Sequence, residues 1–271
     1  MRRSRVQIPE AAQNIYQRRV VKLSIGKRIL GRVLTEFFEA QQKSEHMYKF
    51  FKFLLNFSKT HQEYSSFIAF KKTYPKMNYS QLDQDLFCLY ESSKGEIPKT
   101  FCEIGVGDGV VISNTYLLEL EGWHGLLVEP NPIFHNSIKN KRLATLDKRA
   151  VSVVTGEGKI EFNRKPLLSK VIFAPNDDLH ELDSKIQLVS INEILAIIGN
   201  EIGFLSLDIE GNEDLIIESL DFSNFKPYVV CVEHNYNLDK MTKIQLCLEK
   251  NGYKLKFKYL SRFDYWFIKL G

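Results

Sequence analysis

The chain has 271 residues, of which 44% are hydrophobic and 12% aromatic, so it can bury the core of a large α/β domain and is not intrinsically disordered. It contains no run of about 20 apolar residues, so we expect no transmembrane segment, and its beginning lacks the apolar core of a secretory signal. Its four cysteines are far apart and form no metal-binding pattern, which favours free thiols and a cytoplasmic protein.

Positive charge is concentrated near the N-terminus. Residues 1–60 contain 13 Lys/Arg and 4 Asp/Glu, whereas the remaining residues contain 24 and 29. A basic arm of this kind could contact nucleic acid or an anionic membrane. The acidic remainder argues against a nucleic-acid enzyme, so we expect a small-molecule or glycan acceptor and no nucleic-acid partner.

The pattern changes near residue 80, so we predict an N-terminal extension at 1–79 and a domain at 80–271. Within the extension, the spacing of apolar residues predicts an amphipathic helix from Ile29, and the apolar cluster at 50–57 is expected to dock on the domain rather than lie on a membrane. The codons that could encode Arg5–Pro9 resemble the T-arm of a transfer RNA gene. This gives the hypothesis that the native start is nearer Met47, which would make the basic arm an artefact.

From residue 80 the chain alternates between strands and helices, which predicts a parallel sheet covered on both faces. The predicted strands are Thr100–Ile104, Gly125–Glu129, Asp147–Val153, Phe204–Asp208, Tyr228–Glu233, Tyr253–Tyr259 and Tyr265–Lys269. The predicted helices are Gln81–Glu91, Ser113–Glu121, 132–142, Ser190–Ile198, 213–220 and 238–250.

Three further features complete this prediction. The last two strands have no helix between them and should pair as an antiparallel hairpin. Gly156 and Gly158 suggest another hairpin that leads into Lys159–Asn163. The segment Leu167–Leu188 has no clear pattern and is predicted to be a loop with a short strand.

The most informative segment is the glycine loop that follows the first strand. Gly105, Gly107 and Gly109 let the backbone turn tightly and approach a ligand. Glu129 ends the next strand, where a carboxylate can accept hydrogen bonds from both hydroxyl groups of a ribose. Glu103 could face the ammonium group of S-adenosylmethionine, and the late start of the following helix also favours that cofactor over a dinucleotide.

Several motifs in order then resemble those of FkbM-type methyltransferases over about residues 80–269. They are Ser80-Gln81 with Gln84-Asp85-Leu86-Phe87, Glu103-Ile104-Gly105 with Asp108-Gly109, Ser113-Asn114-Thr115-Tyr116-Leu117-Leu118, Gly122-Trp123, Glu129-Pro130-Asn131-Pro132, Arg149-Ala150-Val151-Ser152 and Asp208-Ile209-Glu210-Gly211 with Glu213. This likeness implies a Rossmann-like methyltransferase fold, S-adenosylmethionine as the methyl donor and a hydroxyl acceptor on a sugar or natural product.

The resemblance also implies roles for individual residues in cofactor binding. Glu103, Gly105, Gly107 and Asp108 would line the methionine end of the cofactor. Glu129 would hold the ribose with Asn131 beside it, and Arg149 and Ala150 would approach the edge of the adenine. Gly107 departs from the family, which often has Asn or another small residue at this position.

The reaction centre should lie at the carboxyl ends of the fourth and fifth parallel strands. Asp208 and Glu210 follow one strand, and Glu233 and His234 end the other. In the first hypothesis, His234 or Asp208 acts as a general base on a hydroxyl group, and in the second, Asp208, Glu210, Glu233 and His234 include ligands of a divalent metal ion. We favour the first.

Two other acidic residues were given structural roles. Glu213 is predicted to cap the helix that it begins. Asp264 is predicted to be a turn residue rather than a catalytic one.

The predicted class is therefore α/β, with a Rossmann-like methyltransferase sheet, mostly parallel with an antiparallel C-terminal hairpin, and helices on both faces. The predicted function is S-adenosylmethionine-dependent O-methylation in carbohydrate modification. The alternatives are an NAD-dependent dehydrogenase or epimerase and a non-catalytic nucleoside-binding protein.

Overall fold

The computed structural model describes residues 61–161, 170–172 and 184–271. The contacts divide the chain after Glu63, and the compact unit Tyr64–Gly271 contains every strand and site described below. The predictions for the amphipathic helix from Ile29, the cluster at 50–57, the basic arm and the alternative start all lie outside the described residues.

A seven-stranded sheet forms the centre of this unit, with the strand order β10-β11-β9-β8-β1-β2-β3. The strands of this sheet are β1 (Thr100–Ile104), β2 (His124–Val128), β3 (Thr145–Asp147), β8 (Phe204–Leu207), β9 (Val229–Glu233), β10 (Tyr253–Lys256) and β11 (Asp264–Lys269). The pairs among β3, β2, β1, β8 and β9 are parallel, and β11 runs antiparallel to both β9 and β10. The predicted fold class and the predicted antiparallel C-terminal hairpin are confirmed.

Helices cover both faces of the sheet. They are α1 (61–73), α2 (Gln84–Ser92), α3 (Tyr116–Leu120), α4 (Pro132–Lys141), α5 (Ile191–Ile198), α6 (Glu213–Ser219) and α7 (Leu238–Lys250). One core cluster packs α5, α6 and α7 against the sheet through Ile194, Ile217 and Leu248. The other cluster contains Phe67 of α1 and Phe87 of α2. Every residue of β8 and β9 is buried, as expected for strands with a hydrophobic layer on each side.

Helix α1 belongs to the core although it precedes the predicted domain. Phe67 is 1% exposed and its ring contacts those of Phe87 and Trp266. The compact unit therefore begins at Tyr64, whereas the division of the chain at 1–79 and 80–271 stays a prediction. No helix in the described ranges is long and apolar enough to cross a membrane.

A second, four-stranded sheet contradicts part of the sequence prediction. Its order is β4 (Ala150–Val151), β7 (Ser184–Val189), β5 (Gly156–Glu161) and β6 (Lys170–Ile172). The predicted strand Asp147–Val153 is divided between the two sheets, because Asp147 turns back to accept hydrogen bonds from the backbone and guanidinium of Arg149. The predicted turn at Gly156–Gly158 was wrong, since both glycines lie within β5.

Gly158 explains why this strand resembles a turn in the sequence. A Cβ atom at Gly158 would lie 2.7 Å from a methyl carbon of Leu188 on β7, so glycine is required by close packing and not by chain reversal. The segment predicted to be a loop at Leu167–Leu188 contains β6 and most of β7, and its other residues lie outside the described ranges.

Local hydrogen bonds set where the helices begin. Ser190 caps α5 with a reciprocal pair of bonds to Glu193, which confirms its predicted N-cap role. Helix α3 begins at Tyr116, three residues later than predicted, because Ser113, Asn114 and Thr115 turn inward to bind a buried carboxylate. The four cysteines are free thiols and three of them are buried, as predicted.

Candidate active site

Four acidic residues and one glycine form a single row across the carboxyl edge of the large sheet. Ile104 of β1 is in register with Val128 and Leu207, Leu207 with Val232, and Glu233 with Asp264. The next position along each parallel strand therefore gives a row in the order Glu129, Gly105, Asp208, Glu233 and Asp264. With neighbouring strands about 4.8 Å apart, this row extends for about 19 Å. We call it the carboxyl row.

Gly105 separates two parts of this edge. The first, which we call the cofactor half, is Glu129 and the glycine loop with Glu103 beneath it, and the second, which we call the acceptor half, is Asp208, Glu233 and Asp264. The φ of Gly105, 85°, lies in the left-handed region, and a Cβ atom on it would overlap the carbonyl oxygen of Asp208. The amide of Asp208 in turn donates to the carbonyl of Ile104 at 3.0 Å. Only glycine can occupy this position without moving the end of β8.

Glu129 binds the glycine loop through its own carboxylate. One oxygen accepts from the amides of Val106 and Gly107 at 3.1 and 2.8 Å, and the other accepts from the amide of Asn131 at 2.8 Å. Burial raises the pKa of Glu129, and these three backbone donors oppose that change. The carboxylate is thus fixed at the end of β2 and keeps part of its capacity to accept hydrogen bonds.

Asn131 and Asp108 shape the backbone on either side of this carboxylate. The side chain of Asn131 is the N-cap of α4 and accepts from the amide of Ile133. Asp108 accepts from the amides of Val110 and Val111 at 2.9 and 2.7 Å, and these bonds together with Lys141 hold the pKa of its carboxyl below the usual value, although partial burial opposes them. Both residues lie at the predicted cofactor site, and their direct contact with the cofactor stays a prediction.

Glu103 lies beneath the glycine loop in this structure. It is 2% exposed, and its carboxylate accepts from the hydroxyls of Ser113 and Thr115 and from the amide of Asn114. The guanidinium of Arg142 lies 3.7 Å away. Burial raises the pKa of Glu103 and these partners lower it. Glu103 therefore holds residues 113–115 in place, and its predicted contact with an ammonium group stays a prediction.

The predicted adenine edge lies where the chain passes from the large sheet to the small one. The guanidinium of Arg149 forms an ion pair with Asp147 at 2.6 Å, and Ala150 is buried at the start of β4. Val153 and Val154, which follow β4, are exposed apolar side chains. The pairing of Arg149 with Asp147 shows that Arg149 shapes this turn, and its contact with adenine stays a prediction.

Asp208 and Glu233 form the reactive part of the carboxyl row. One carboxyl oxygen of each lies within 4.8 Å of the other, so the two groups repel when both are charged and the protonated form of one is favoured. Burial and the neighbouring acids raise the pKa of Glu233 to about 7, and the same causes raise the pKa of Asp208 well above its usual value. The pair therefore holds one proton near neutral pH and can accept another.

Glu210 brings a third carboxylate to the pair. One oxygen each of Asp208, Glu210 and Glu233 can be chosen so that all three lie within 4.8 Å of one another. The backbone of Glu210 has a φ of 59°, in the left-handed region. These are three of the four residues that we predicted as possible metal ligands, and oxygen atoms are the ligands that hard divalent ions prefer.

Glu213 holds the loop that carries Glu210. Its carboxylate is fully buried, accepts from the amides of Ile209 and Gly211 at 3.1 and 2.9 Å, and pairs with the ammonium of Lys240 on α7. Glu213 thus binds the loop before α6 and the next helix rather than the first turn of α6, which has no side-chain cap, so the predicted capping role was wrong. Sequence alone gave no indication of Lys240.

His234 lies close to the row but is enclosed in the core. It is fully buried, and its Nδ1 accepts from the amide of Tyr236 at 3.1 Å, so the ring proton is on Nε2 when the imidazole is neutral. Nε2 is buried without a hydrogen-bond partner among the described residues. Burial lowers the pKa of His234 to about 4. A neutral ring with its lone pair already bonded is a poor general base, so this geometry favours Asp208 over His234.

Two residues of the site were missed by the sequence analysis. Asp264 is not in an exposed turn but is the first residue of β11, 5% exposed and directly opposite Glu233. Gln84 at the start of α2 donates its side-chain amide to Asp264. Burial and the nearby Asp208 raise the pKa of Asp264 to about 7. The sequence analysis named Gln84 only as part of a motif. Its contact with Asp264 could not be predicted, because 180 residues separate the two.

Comparison with known proteins gives one family. Residues 103–255, more than half of the chain, match the family model of the methyltransferase FkbM domain. Among solved structures, precorrin-6y C5,15-methyltransferase from Geobacter metallireducens GS-15 is 16% identical, covering 68% of this chain and 77% of that one with a TM-score of 0.35. A putative RNA methyltransferase from Pyrococcus horikoshii is 13% identical, covering 78% and 100% with a TM-score of 0.37. No curated protein matches this chain.

Proposed function

The chain belongs to the FkbM methyltransferase family, and from this premise we propose that it transfers a methyl group from S-adenosylmethionine to a hydroxyl group of a sugar or natural product. The observation that carries the proposal is the close approach of the carboxyl groups of Asp208 and Glu233 at the carboxyl edge of the sheet. A hydroxyl acceptor must lose a proton during methyl transfer, and this pair has a proton-accepting group whose pKa is close to neutral pH.

The cofactor half of the carboxyl row fits S-adenosylmethionine. Gly105 and Gly107 have positive φ angles and leave the loop backbone without side chains where a ligand approaches. Glu129 keeps acceptor capacity for ribose hydroxyls, and Asn131 lies beside it, while Arg149 and Ala150 border the side assigned to adenine. Asp108 and Glu103 would act at the methionine end, Glu103 chiefly through residues 113–115. When bound, the cofactor supplies a methyl group that is already activated on a sulfonium.

The acceptor half provides alignment and proton removal. We assign proton acceptance to the pair of Asp208 and Glu233 as a unit, in which Glu233 is the member whose pKa lies near 7 and Asp208 the member that holds the proton more firmly. Glu210, held by the loop that Glu213 and Lys240 fix, would orient a second hydroxyl of the acceptor. His234 would support the end of β9 through its bond to the amide of Tyr236.

A divalent metal ion is the second candidate for the same three carboxylates. The distances among Asp208, Glu210 and Glu233 favour it, because oxygen atoms within 4.8 Å of one another can bind one ion. A cation would neutralise the cluster and could orient neighbouring hydroxyls of a diol. His234 is not suited to this set, because its Nδ1 already accepts a hydrogen bond.

The other two predicted functions are less well supported. Membership of a methyltransferase family favours methyl transfer over hydride transfer with NAD or epimerisation. A non-catalytic nucleoside-binding protein has no need of two neighbouring carboxyl groups at this edge. Buried acids without a cationic partner lower the stability of a fold, so their presence favours a chemical role.

The test has a binding part and a turnover part. Calorimetry with S-adenosylhomocysteine and with NAD tests the cofactor, and we expect binding of the first alone. Formation of S-adenosylhomocysteine from S-adenosylmethionine is then measured with free sugars, nucleotide-linked sugars and a deproteinised cell extract, each with and without EDTA. The proposal is supported if a sugar is methylated and the rate of that reaction is unaffected by EDTA. Turnover on the extract alone would contradict a sugar acceptor, and binding of NAD without S-adenosylhomocysteine would overturn the proposal entirely.

A further inference from the structure

The segment Asn78–Asp85 connects both halves of the site, although it lies outside the residues that match the family model. Ser80 forms a bridge with Ile112, which follows the glycine loop. The buried carboxylate of Asp85 accepts from the amides of Tyr79 and Ser80 at 2.8 and 3.1 Å and from the hydroxyl of Ser80 at 2.5 Å. Asp85 thereby fixes this segment against the start of α2, directly before Gln84 enters the site.

Gln84 has a fixed orientation because both ends of its side-chain amide are bonded. Its Oε1 accepts from the amide of Leu82 at 2.9 Å, and its Nε2 donates to Oδ2 of Asp264. The side chain is 3% exposed. An amide whose oxygen is already assigned to a backbone donor can present only its N–H groups to Asp264, so the contact requires glutamine and not glutamate.

Asp264 adds a further acid to a cluster with few cations. It is opposite Glu233 in the sheet, and Asp208 lies one strand further along the row. Among the described lysines near this row, Lys240 is paired with Glu213, Lys258 lies over the ring of Tyr265 at 5.5 Å, and the buried Lys256 lies over the ring of Phe257 at 5.6 Å. The side chain that donates to Asp264 beside Glu233 is the neutral amide of Gln84.

We propose that Gln84 is a positioning residue of the active site, which acts on Glu233 and Asp208 by fixing the carboxyl group of Asp264. This inference rests on the proposed role of Asp208 and Glu233 in proton removal. It adds α2, which precedes the first strand, to the elements that build the reaction centre. Gln84 does not touch the cofactor half of the row, so its effect should be on turnover and not on cofactor affinity.

The first variant is Gln84→Glu, which keeps the size of the side chain and replaces the donor by a second carboxyl against Asp264. We expect kcat to fall by about tenfold or more, because a buried hydrogen bond to a carboxylate is lost, while the Kd of S-adenosylhomocysteine stays within about twofold. The exchange Gln84→Glu with Asp264→Asn restores one donor and one acceptor with their places reversed. It also removes the carboxyl group of Asp264, so kcat should stay about tenfold or more below that of the wild type although the contact is restored.

The control is Gln187→Glu, the same chemical change at an exposed position on β7 of the small sheet, which should leave kcat and stability unchanged. Turnover is measured as S-adenosylhomocysteine formation with the best substrate from the sugars or the cell extract, so the test does not depend on a sugar acceptor. Circular dichroism and thermal denaturation verify that each variant is folded. Wild-type kcat in Gln84→Glu would overturn the proposal, and so would wild-type kcat in the folded double variant, because the carboxyl group of Asp264 would then be dispensable.

Discussion

The two halves of the carboxyl row contain buried acids in opposite environments. In the cofactor half, Glu129 accepts three backbone hydrogen bonds, and Glu103 accepts from residues 113–115 with Arg142 nearby. In the acceptor half, Asp208 and Glu233 have mainly each other and further acids as neighbours. Burial raises the pKa in both halves, but donors oppose the change in the first half and like charges add to it in the second.

This difference separates a structural use of buried carboxylates from a chemical one. An acid with several backbone donors stays charged in one position, and it fixes the loop to which it is bonded. An acid whose neighbours are other acids must hold or exchange a proton, which is what a general base at neutral pH requires. The same residue types therefore build the loop on one side of Gly105 and prepare the reaction on the other.

The largest expected effect is the loss of turnover in Asp208→Asn. This change removes one member of the proton-accepting pair and keeps the shape of the side chain, so kcat should fall by about a thousandfold. The Kd of S-adenosylhomocysteine should stay within about threefold, because Glu129 and the glycine loop are unchanged. The kcat is measured from the formation of S-adenosylhomocysteine over time, and the Kd of S-adenosylhomocysteine is measured by calorimetry. The control is Asp239→Asn on the exposed side of α7, and equal turnover in the two variants would refute the assignment of Asp208.

The second effect is on the free energy of unfolding. It tests the close approach of Gly105, at the end of β1, to the carbonyl of Asp208, at the end of β8. In Gly105→Ala the added methyl group overlaps the carbonyl of Asp208, and φ of 85° is unfavourable for alanine. We expect a loss of about 3 kcal/mol in the free energy of unfolding, measured by urea denaturation. Gly95→Ala has no atom within 4 Å of the new Cβ and should change stability by less than about 0.5 kcal/mol. If the two variants were equally stable, the close approach of β1 and β8 would be wrong.

The third effect is on cofactor affinity. Glu129→Ala removes the acceptor of three backbone amides and the proposed ribose contact, so the Kd of S-adenosylhomocysteine should rise about 30-fold, or about 2 kcal/mol. Its kcat at saturating cofactor should change by less than about threefold. Glu157→Ala on β5 is the matched control, since that side chain is 83% exposed. A fall in kcat without a change in Kd would remove the distinction between the two halves.

The sequence predicted the large sheet well because strict alternation of strands and helices has few topological solutions. The strand Thr100–Ile104 and the helix at 238–250 were predicted with their observed bounds. The small sheet was missed because its strands are short, and because Gly156 and Gly158 have the composition of a turn although both lie in β5, where Gly156 has a φ of 120° and Gly158 packs against Leu188. Short strands are specified by contacts with distant residues and not by local pattern.

The candidate site was predicted in part for the same physical reason. Asp208, Glu210 and Glu233 were found because parallel strands bring their carboxyl ends to one edge. Gln84 and Asp264 were not assigned, since their contact depends on how α2 lies against an antiparallel strand far along the chain. The burial of His234 was also not visible, because a polar residue directly after a strand has the same sequence pattern whether its ring points outward or into the core.

The smallest expected effect is a pH dependence that distinguishes the two proposed uses of the acceptor half. With Glu233 near a pKa of about 7, lowering the pH through that value adds a second proton to the pair and removes the base. The rate under kcat/KM conditions should therefore fall about tenfold for each pH unit below 7, and cofactor affinity should change much less. His234, with a pKa of about 4, stays neutral throughout this range and therefore does not cause this fall in rate, which is the acid limb of the pH profile.

A bound divalent ion would change this profile in a defined direction. Positive charge between Asp208, Glu210 and Glu233 stabilises their charged forms, so the acid limb would move well below pH 7 and activity would be lost with EDTA. A limb near pH 7 that is unaffected by EDTA supports the metal-free base. A fall in rate that begins only below about pH 6, combined with EDTA sensitivity, would instead assign the three carboxylates to a cation. The contrast between the halves would then be one between carboxylates held by backbone donors and carboxylates held by a metal ion.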